Sequence, residues 1–468
     1  MRLWRWEFMM IGIGIALRFI WAKLIPNIPV SDFKYYYDMA VNLAGPPKDW
    51  VLGYVGPGSS FVLSLFFRLF ESTDLWIAKA VNVGISSLSL ILFHLLCTRL
   101  FKRRSDHRMA LLLFALLPNY IAYNSTVGTE IFTLFLMLLL VLLQTVEYPR
   151  MWHVIPLGIL AGIASLTKPY FMAFPVIAFA VFWLRSYDPN GKLIVRFLRS
   201  GVHAVLVGII MFATISPMTI YNYNEWKMII PVSFNGGYNL YLNNNDANHI
   251  GRYISIEQIP TSATFQAKLD ELGIKYGAID PRAEKIYRDE AIHWIANHPF
   301  QFLGLGGLRI LNTFFAGGND ISNWTYQTND PQFKELMSHT WFIALKLVAG
   351  LLVDIMLFFI VIFTIVGGIW LLVRKIRSKR DPEQAIIEPN TETQSLVTAR
   401  QQLLPNIDRM LYIVVWVYIG FFSSLFFVFE GQPRYNYPTL FLFILGTVAT
   451  FRLLRERDRR KRVKGSKP

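Results

Sequence analysis

Long apolar runs separated by short polar and basic stretches set the pattern of the chain. They cover 5–25, 75–98, 108–123, 130–147, 153–168, 169–185, 200–221, 345–373, 410–429 and 437–454. None shows the strict alternation of a half-buried strand, and their lengths approach the ~20 residues a helix needs to cross a bilayer. The pattern predicts an all-α polytopic membrane protein with a bundle of about ten transmembrane helices. Two shorter apolar stretches, 57–70 and 300–315, are each interrupted by an arginine, Arg68 or Arg309. These are predicted to lie in the interface as amphipathic helices.

Charge decides between crossing and lying flat. If 57–70 crossed, the next span would carry Arg99, Lys102, Arg103, Arg104 and Arg108 outside, against the positive-inside tendency. If 300–315 crossed, Arg374, Lys375, Arg377, Lys379 and Arg380 would go out in the same way. With both stretches interfacial, every basic cluster falls in the cytoplasm, including Arg185, Lys192, Arg196, Arg199 and the tail at 455–468. Both termini are then cytoplasmic, and the first run, holding Arg18 and lacking a small-residue cleavage site, reads as a retained signal anchor. The expected organisation is a membrane module over 1–221 with an external loop at 26–74, and an external α or α/β region over 222–343. A helix at 344–373, a flexible polar linker at 374–408, a hairpin at 409–454 and the basic tail complete it.

Composition narrows the class. The chain of 468 residues is 54% hydrophobic, and its net charge of +15 sits in clusters flanking apolar runs. That placement is what membrane orientation asks for, so nucleic acid is not an expected partner. The single cysteine, Cys97, lies inside an apolar run and excludes an intramolecular disulfide. His249, His293 and His298 fall in the external region without zinc-binding spacing, so no cofactor is expected to be required; a divalent metal stays an open alternative that no spacing supports.

This topology brings several reactive side chains to one face. Asp32 follows the first span in Ser31-Asp32-Phe33-Lys34-Tyr35-Tyr36-Tyr37, and Glu130 opens the fourth run. Lys168 precedes Pro169 at an outer helix end, where proline stops the helix. Arg434 and Tyr435 lie in the last external loop, and a guanidinium fork suits phosphate oxygens. Taken singly, each is an ordinary loop acid, a snorkelling lysine or an interfacial anchor; their convergence is what points to chemistry. Arg18 and Asp354 lie inside spans, where charge is costly and needs a partner that the sequence does not name.

In order along the chain stand Ser31-Asp32 with Tyr36 and Ala40, Gly56-Pro57-Gly58, Thr129-Glu130, and Leu166-Thr167-Lys168-Pro169. The stretch from Pro231 to Asn245, PVSFNGGYNLYLNNN, and Arg434-Tyr435 with Pro438 complete the set. This succession resembles the GT-C-type membrane glycosyltransferases, near the branch of protein O-mannosyltransferases and lipid A aminoarabinose transferases (glycosyltransferase family 39-like).

The resemblance implies inverting transfer of a sugar, hexose and mannose-like, from a polyprenyl-phosphate donor to a hydroxyl acceptor on protein, lipid or cell-envelope glycan. The reaction is expected at the outer face of the plasma membrane. By the same resemblance Asp32 is the catalytic base and Glu130 the second-loop acid. Lys168, Arg434 and Tyr435 hold the donor phosphate, and Tyr36, Asn235, Gly236, Gly237 and Tyr238 bind substrate. Two departures stand out: Phe33 occupies the place where many relatives carry a second acid, and Met218 with Tyr221-Asn222 replaces a pattern containing a cation.

The alternatives are a lipid-linked glycan flippase or transporter, which would show repeats and polar groups at mid-membrane, and an oligosaccharide ligase of related architecture. Asn124-Ser125-Thr126 and Asn323-Trp324-Thr325 match the glycosylation pattern.

Overall fold

A computed structural model describes residues 5–46, 52–146, 151–186, 191–380 and 406–465. Among the described residues there are helices and no strands, so the external region is α rather than α/β. The first half holds α1 (Arg5–Leu24), α2 (Ser31–Ala44), α3 (Gly58–Leu69), α4 (Leu75–Leu100), α5 (Arg104–Leu116), α6 (Pro118–Ala122), α7 (Glu130–Gln144), α8 (Val154–Thr167), α9 (Phe174–Arg185) and α10 (Leu193–Trp226). The second half holds α11 (Gly236–Asn243), α12 (Ala263–Glu271), α13 (Glu284–Asn297), α14 (Pro299–Phe315), α15 (Gly317–Thr325), α16 (Pro331–Ser338), α17 (Thr340–Arg380), α18 (Asn406–Val428) and α19 (Leu440–Gly465). The predicted linker overlaps the end of α17 and the start of α18; its stretch 381–405 lies outside the described residues, as does 466–468 of the basic tail.

Among the described residues five segments are long and apolar enough to cross a membrane: Leu75–Leu100, Leu193–Trp226, Thr340–Val373, Arg409–Val428 and Pro433–Arg455. The protein is an integral, multi-pass membrane protein. The remaining predicted spans are shorter or more charged. A helix of 15 residues such as α7 is only ~22 Å long, less than the ~30 Å hydrocarbon core. Such short helices end inside the protein: the buried Thr129 and Glu130 mark where α7 begins and the buried Thr167 where α8 stops. The segment 433–455 is apolar on all sides and lies at the bundle centre, with Leu440 through Leu445 each buried. α3 and α14 each carry a row of exposed apolar side chains, Phe61, Leu65 and Leu69 on one and Phe300, Leu303 and Leu311 on the other, while Arg309 of α14 is fully buried.

The predicted span 108–123 is broken, and the break explains Arg18. Pro118 has no N–H to give to Phe114, and Leu117 leaves the helical conformation, so the last carbonyls of α5 are orphaned inside the bundle. Arg18 fills them: Nη1 donates to Ala115 O at 3.0 Å, Nη2 to Phe114 O at 3.4 Å, and Nε to Ser86 Oγ at 2.9 Å. Asp354 likewise accepts from the Gly318 N–H at 2.7 Å, at the start of α15. Arg309 joins two helix ends, donating to Phe427 O and Val428 O of α18 and to Asn243 O and Asn244 Oδ1 of α11.

The charged clusters separate along the bundle. At the start of α1, Glu7 is held by Arg104 at 2.8 Å and Arg108 at 3.0 Å. Asp106 meets Arg455 at 3.2 Å. Asp32 follows α1 at its other end, ~30 Å away for a 20-residue helix. The glycosylation pattern at Asn124 is buried, its amide committed to Tyr120 O at 2.8 Å, which rules out modification there; Asn323 is exposed.

Candidate active site

Asp32 sits in the first turn of α2, where the positive end of the helix dipole favours a carboxylate. The residue before it, Ser31, takes the left-handed φ of 50°, a strained conformation for a non-glycine residue. The Asp32 side chain is 54% exposed, whereas its partner Arg434 is 7% exposed. Arg434 Nη2 donates to Asp32 Oδ2 at 2.5 Å. Burial pushes the Asp32 carboxyl up, but the charge and hydrogen bond of Arg434, with the charge of Lys168, outweigh it and hold the carboxyl below its ordinary 3.8.

Arg434 rests among aromatic rings. Its guanidinium carbon lies 4.7 Å from the Trp324 ring centroid, 5.2 Å from that of Tyr435 and 5.7 Å from that of Phe33. Phe33 is buried against Trp324, with ring centroids 4.6 Å apart. An apolar ring therefore fills the place where a second acid was looked for, and a carboxylate there would be desolvated against aromatics. Arg434 Nε has no hydrogen-bond partner and is shielded from solvent.

Glu130 and Lys168 form the second half of the cluster, with Lys168 Nζ 3.9 Å from Glu130 Oε1. Lys168 Nζ also lies 5.8 Å from the Tyr36 ring centroid and 5.9 Å from that of Tyr435. Glu130 Oε2 is buried with no hydrogen-bond partner, an acceptor left open in the site. Two glycine motifs make this approach possible. A Cβ on Gly128 would stand 2.3 Å from Glu130 Oε2 and 2.8 Å from the Phe33 ring. A Cβ on Gly56 would meet the Leu166 carbonyl at 2.4 Å, and one on Gly58 the Thr167 hydroxyl at 2.6 Å. The Gly56-Pro57-Gly58 turn thus packs directly on the end of α8 that presents Lys168.

Asp32, Tyr36, Glu130, Lys168, Arg434 and Tyr435 are brought together from four separate parts of the sequence. Asn235, Gly236, Gly237 and Tyr238 are not part of that ionic cluster. They begin α11, where Glu284 Oε1 accepts from the Gly237 N–H at 2.6 Å and Tyr238 packs edge-on to Tyr287. Tyr238 and Glu284 line a small cavity with Tyr54 and Phe234, and Tyr54 touches Tyr35 with centroids 5.8 Å apart, one helical turn from Asp32.

Sequence reasoning missed two further acids. Glu430 Oε2 accepts from Tyr435 Oη at 2.7 Å; burial pushes this carboxyl up although Arg434, Tyr435 and Gln432 pull it down. Asp320 accepts from the Tyr123 hydroxyl, and burial holds its carboxyl up to about 7. Asp320 lies in an ordinary polar stretch, Gly-Gly-Asn-Asp-Ile, and carries no local signal; Glu430 was visible only as a neighbour of Arg434. A small cleft of about 20 Å³ beside Tyr36 and Gly128 is lined by both polar and apolar side chains, among them Ser60, Asn82, Val127 and Phe132.

No family model matches this chain, and no curated protein matches it in sequence. Solved structures do. The chain is similar to the oligosaccharyltransferase of Archaeoglobus fulgidus in complex with zinc and sulfate, with a TM-score of 0.48 and 13% identity over 96% of this chain and 49% of that one. The same enzyme, AglB, in complex with an inhibitory peptide and a dolichol-phosphate gives 0.46 and 13% over 98% and 51%. ArnT from Cupriavidus metallidurans bound to undecaprenyl phosphate gives 0.39 and 14% over 96% and 77%. The chain spans about half the length of the oligosaccharyltransferase.

Proposed function

We propose that this protein is a membrane glycosyltransferase that moves a sugar from a polyprenyl-phosphate carrier to an acceptor hydroxyl at the extracytoplasmic face, with inversion. The observation that carries the reading is the paired arrangement at one end of the bundle: Asp32 on Arg434, and Glu130 near Lys168. Asp32 and Glu130 face Arg434 and Lys168 there, with Glu430 beside Tyr435, so an entering phosphate competes with these acids for the two cations. Arg434 then turns its fork to the phosphate, and Asp32 loses the partner that depresses its basicity.

In this mechanism the acceptor oxygen attacks the anomeric carbon as Asp32 takes its proton, and the bond from that carbon to the phosphate oxygen breaks. A hydroxyl is a poor nucleophile, so the positioned base lowers the barrier. The departing lipid phosphate gains charge, which Lys168 and Arg434 neutralise. Tyr435 keeps its hydroxyl on Glu430 and its ring beside Arg434, fixing the fork. Asn235, Gly236, Gly237 and Tyr238, at the start of α11, are assigned to substrate binding, with Tyr238 at the edge of the Tyr54–Glu284 cleft. A mannose-like hexose is the transferred unit, and the plasma membrane is the site.

The test is incubation of purified protein with a panel of polyprenyl-phosphate sugars, followed by mass spectrometry of carrier and acceptor fractions. Consumption of one donor with release of the bare carrier phosphate is expected. Movement of intact lipid between leaflets without donor consumption would make it a transporter instead.

A further inference from the structure

A cavity of about 180 Å³ opens in the external region, apart from the ionic cluster, lined by Asn245, Asp246, Asn248, His249, Trp294, Gln301, Leu305 and Leu308. It is far larger than the ~10–15 Å³ that holds one water and smaller than the ~300 Å³ of a drug-sized pocket. One compact, ring-sized group fits.

The lining divides into a rigid frame and open polar groups. The asparagines are the frame. Asn245 donates to Tyr241 O at 2.8 Å and accepts from the Ala247 N–H at 3.0 Å. Asn248 donates to Arg252 O at 2.9 Å and accepts from the Gly251 N–H at 3.0 Å. These bonds lock the loop after α11, so the asparagine run that stood out in the sequence serves preorganisation. On that fixed loop, Asp246 accepts from Trp294 Nε1 at 2.6 Å through one oxygen. Its side chain remains 70% exposed. His249 on the loop, and Gln301 on α14, have no hydrogen-bond partner among the described residues. Trp294 with Leu305 and Leu308 supplies an apolar wall.

We infer that this cavity is a saccharide-binding subsite, and that the acceptor of the proposed transfer is a glycan held by one of its units here. This deepens the glycosyltransferase reading and rests on it for the word acceptor. The chemistry of the lining selects the ligand. A carboxylate with no lysine or arginine in the lining disfavours phosphate or any other anion. His298 Nε2 also stands 3.9 Å from Asp246 Oδ1, but Asp246, His249 and His298 do not form a group of three that could hold a metal among the described residues. A neutral, hydroxyl-rich ring against an apolar wall, giving hydrogen bonds to Asp246 and exchanging them with Gln301 and His249, meets every group. Arg309 ties this region to the reaction centre: it donates to Asn244 Oδ1 and to Val428 O, two residues before Glu430. The exposed Phe300 and Leu303 on the same helix place the cavity beside the lipid interface, so the saccharide can be free or lipid-borne.

The test is titration of full-length protein, without donor, using neutral mono- and disaccharides by saturation-transfer NMR, with matching glycolipids in nanodiscs as a second arm. Saturable binding is expected, weakened about tenfold or more in Gln301→Leu and His249→Ala, with unchanged melting temperature. Preference for the glycolipid arm identifies a lipid-borne acceptor, and equal binding a free glycan; both support the subsite. Absence of saturable binding, equal binding by both variants, or displacement by a serine-containing peptide but no saccharide would overturn it. Donor consumption is measured in parallel, so failure of the glycosyltransferase reading with saccharide binding intact is distinguishable from failure of the subsite.

Discussion

Arg434 Nη2 reaches Asp32 Oδ2 at 2.5 Å across 402 residues of sequence, pairing a buried guanidinium with a half-open carboxylate. The pair holds the base candidate and the phosphate-holding candidate in one interaction, so each substrate changes the state of the other residue.

Asp32→Asn keeps a side-chain oxygen for Arg434 but removes the proton acceptor. Transfer should fall by roughly 10²–10⁴-fold, with expression and donor binding retained, as measured by product mass spectrometry and by donor binding. Normal turnover in this variant would remove the base from Asp32.

The pair also sets a pH signature. Asp32 is held below its ordinary 3.8, so in the free protein the carboxylate persists to lower pH, and the stability it contributes is lost only as pH falls through that depressed value. Once phosphate draws Arg434 away, the carboxyl rises. The acid limb of kcat should therefore lie at higher pH than that of kcat/KM, since the first reports the substrate complex and the second the free enzyme. Coincident limbs would mean that Arg434 does not exchange partners.

Lys168→Ala and Arg434→Ala should each weaken donor binding by about ten- to a hundredfold, the range of one charge-assisted hydrogen bond. Arg434→Lys should recover part of the loss, keeping the charge without the fork. Unchanged affinity in both alanine variants would remove their phosphate-holding role.

Arg18→Met leaves Phe114 O and Ala115 O unpaired at the broken end of α5. At ~1–3 kcal/mol for each buried group left without a partner, the melting temperature should drop clearly. Donor affinity per folded molecule should not change, and a loss of affinity without loss of stability would give Arg18 a role in the site.

Asp320 gives the opposite pH sign from Asp32. Burial raises its carboxyl from 3.8 to about 7, so the folded state binds the proton more tightly. Its contribution is full below the ordinary value and is lost as pH rises through about 7. Asp320→Asn should therefore raise the melting temperature at pH 8 relative to the parent and flatten its dependence between pH 4 and 8. A variant less stable than the parent at pH 8 would show that the ionised carboxylate is needed there.

Much of the site was legible because its residues sit at helix ends. Proline after Lys168, an acid opening α7 and an arginine in a short loop are local signals, and charge bias alone put these residues on one face. For 57–70 and 300–315 it is charge bias that argues for lying flat, whereas Arg309 itself is not stranded: it is buried on the Phe427 and Val428 carbonyls. The break in 108–123 was marked by Pro118 yet hidden by the continuity of hydropathy around it. The partner of Arg18 was not readable, because orphaned backbone carbonyls leave no trace in residue type.

The sequence by itself determined a helical membrane protein and the set of charged side chains at one end, since hydropathy, charge and proline act within a few residues of themselves. Tertiary structure alone decided that Arg434 answers Asp32, that Phe33 is the aromatic wall in place of a second acid, and that Glu430 and Asp320 are buried beside them. Those relationships depend on desolvation and on contacts between segments hundreds of residues apart. The same buried carboxylate or guanidinium is written in sequence with the same letter as a solvated one.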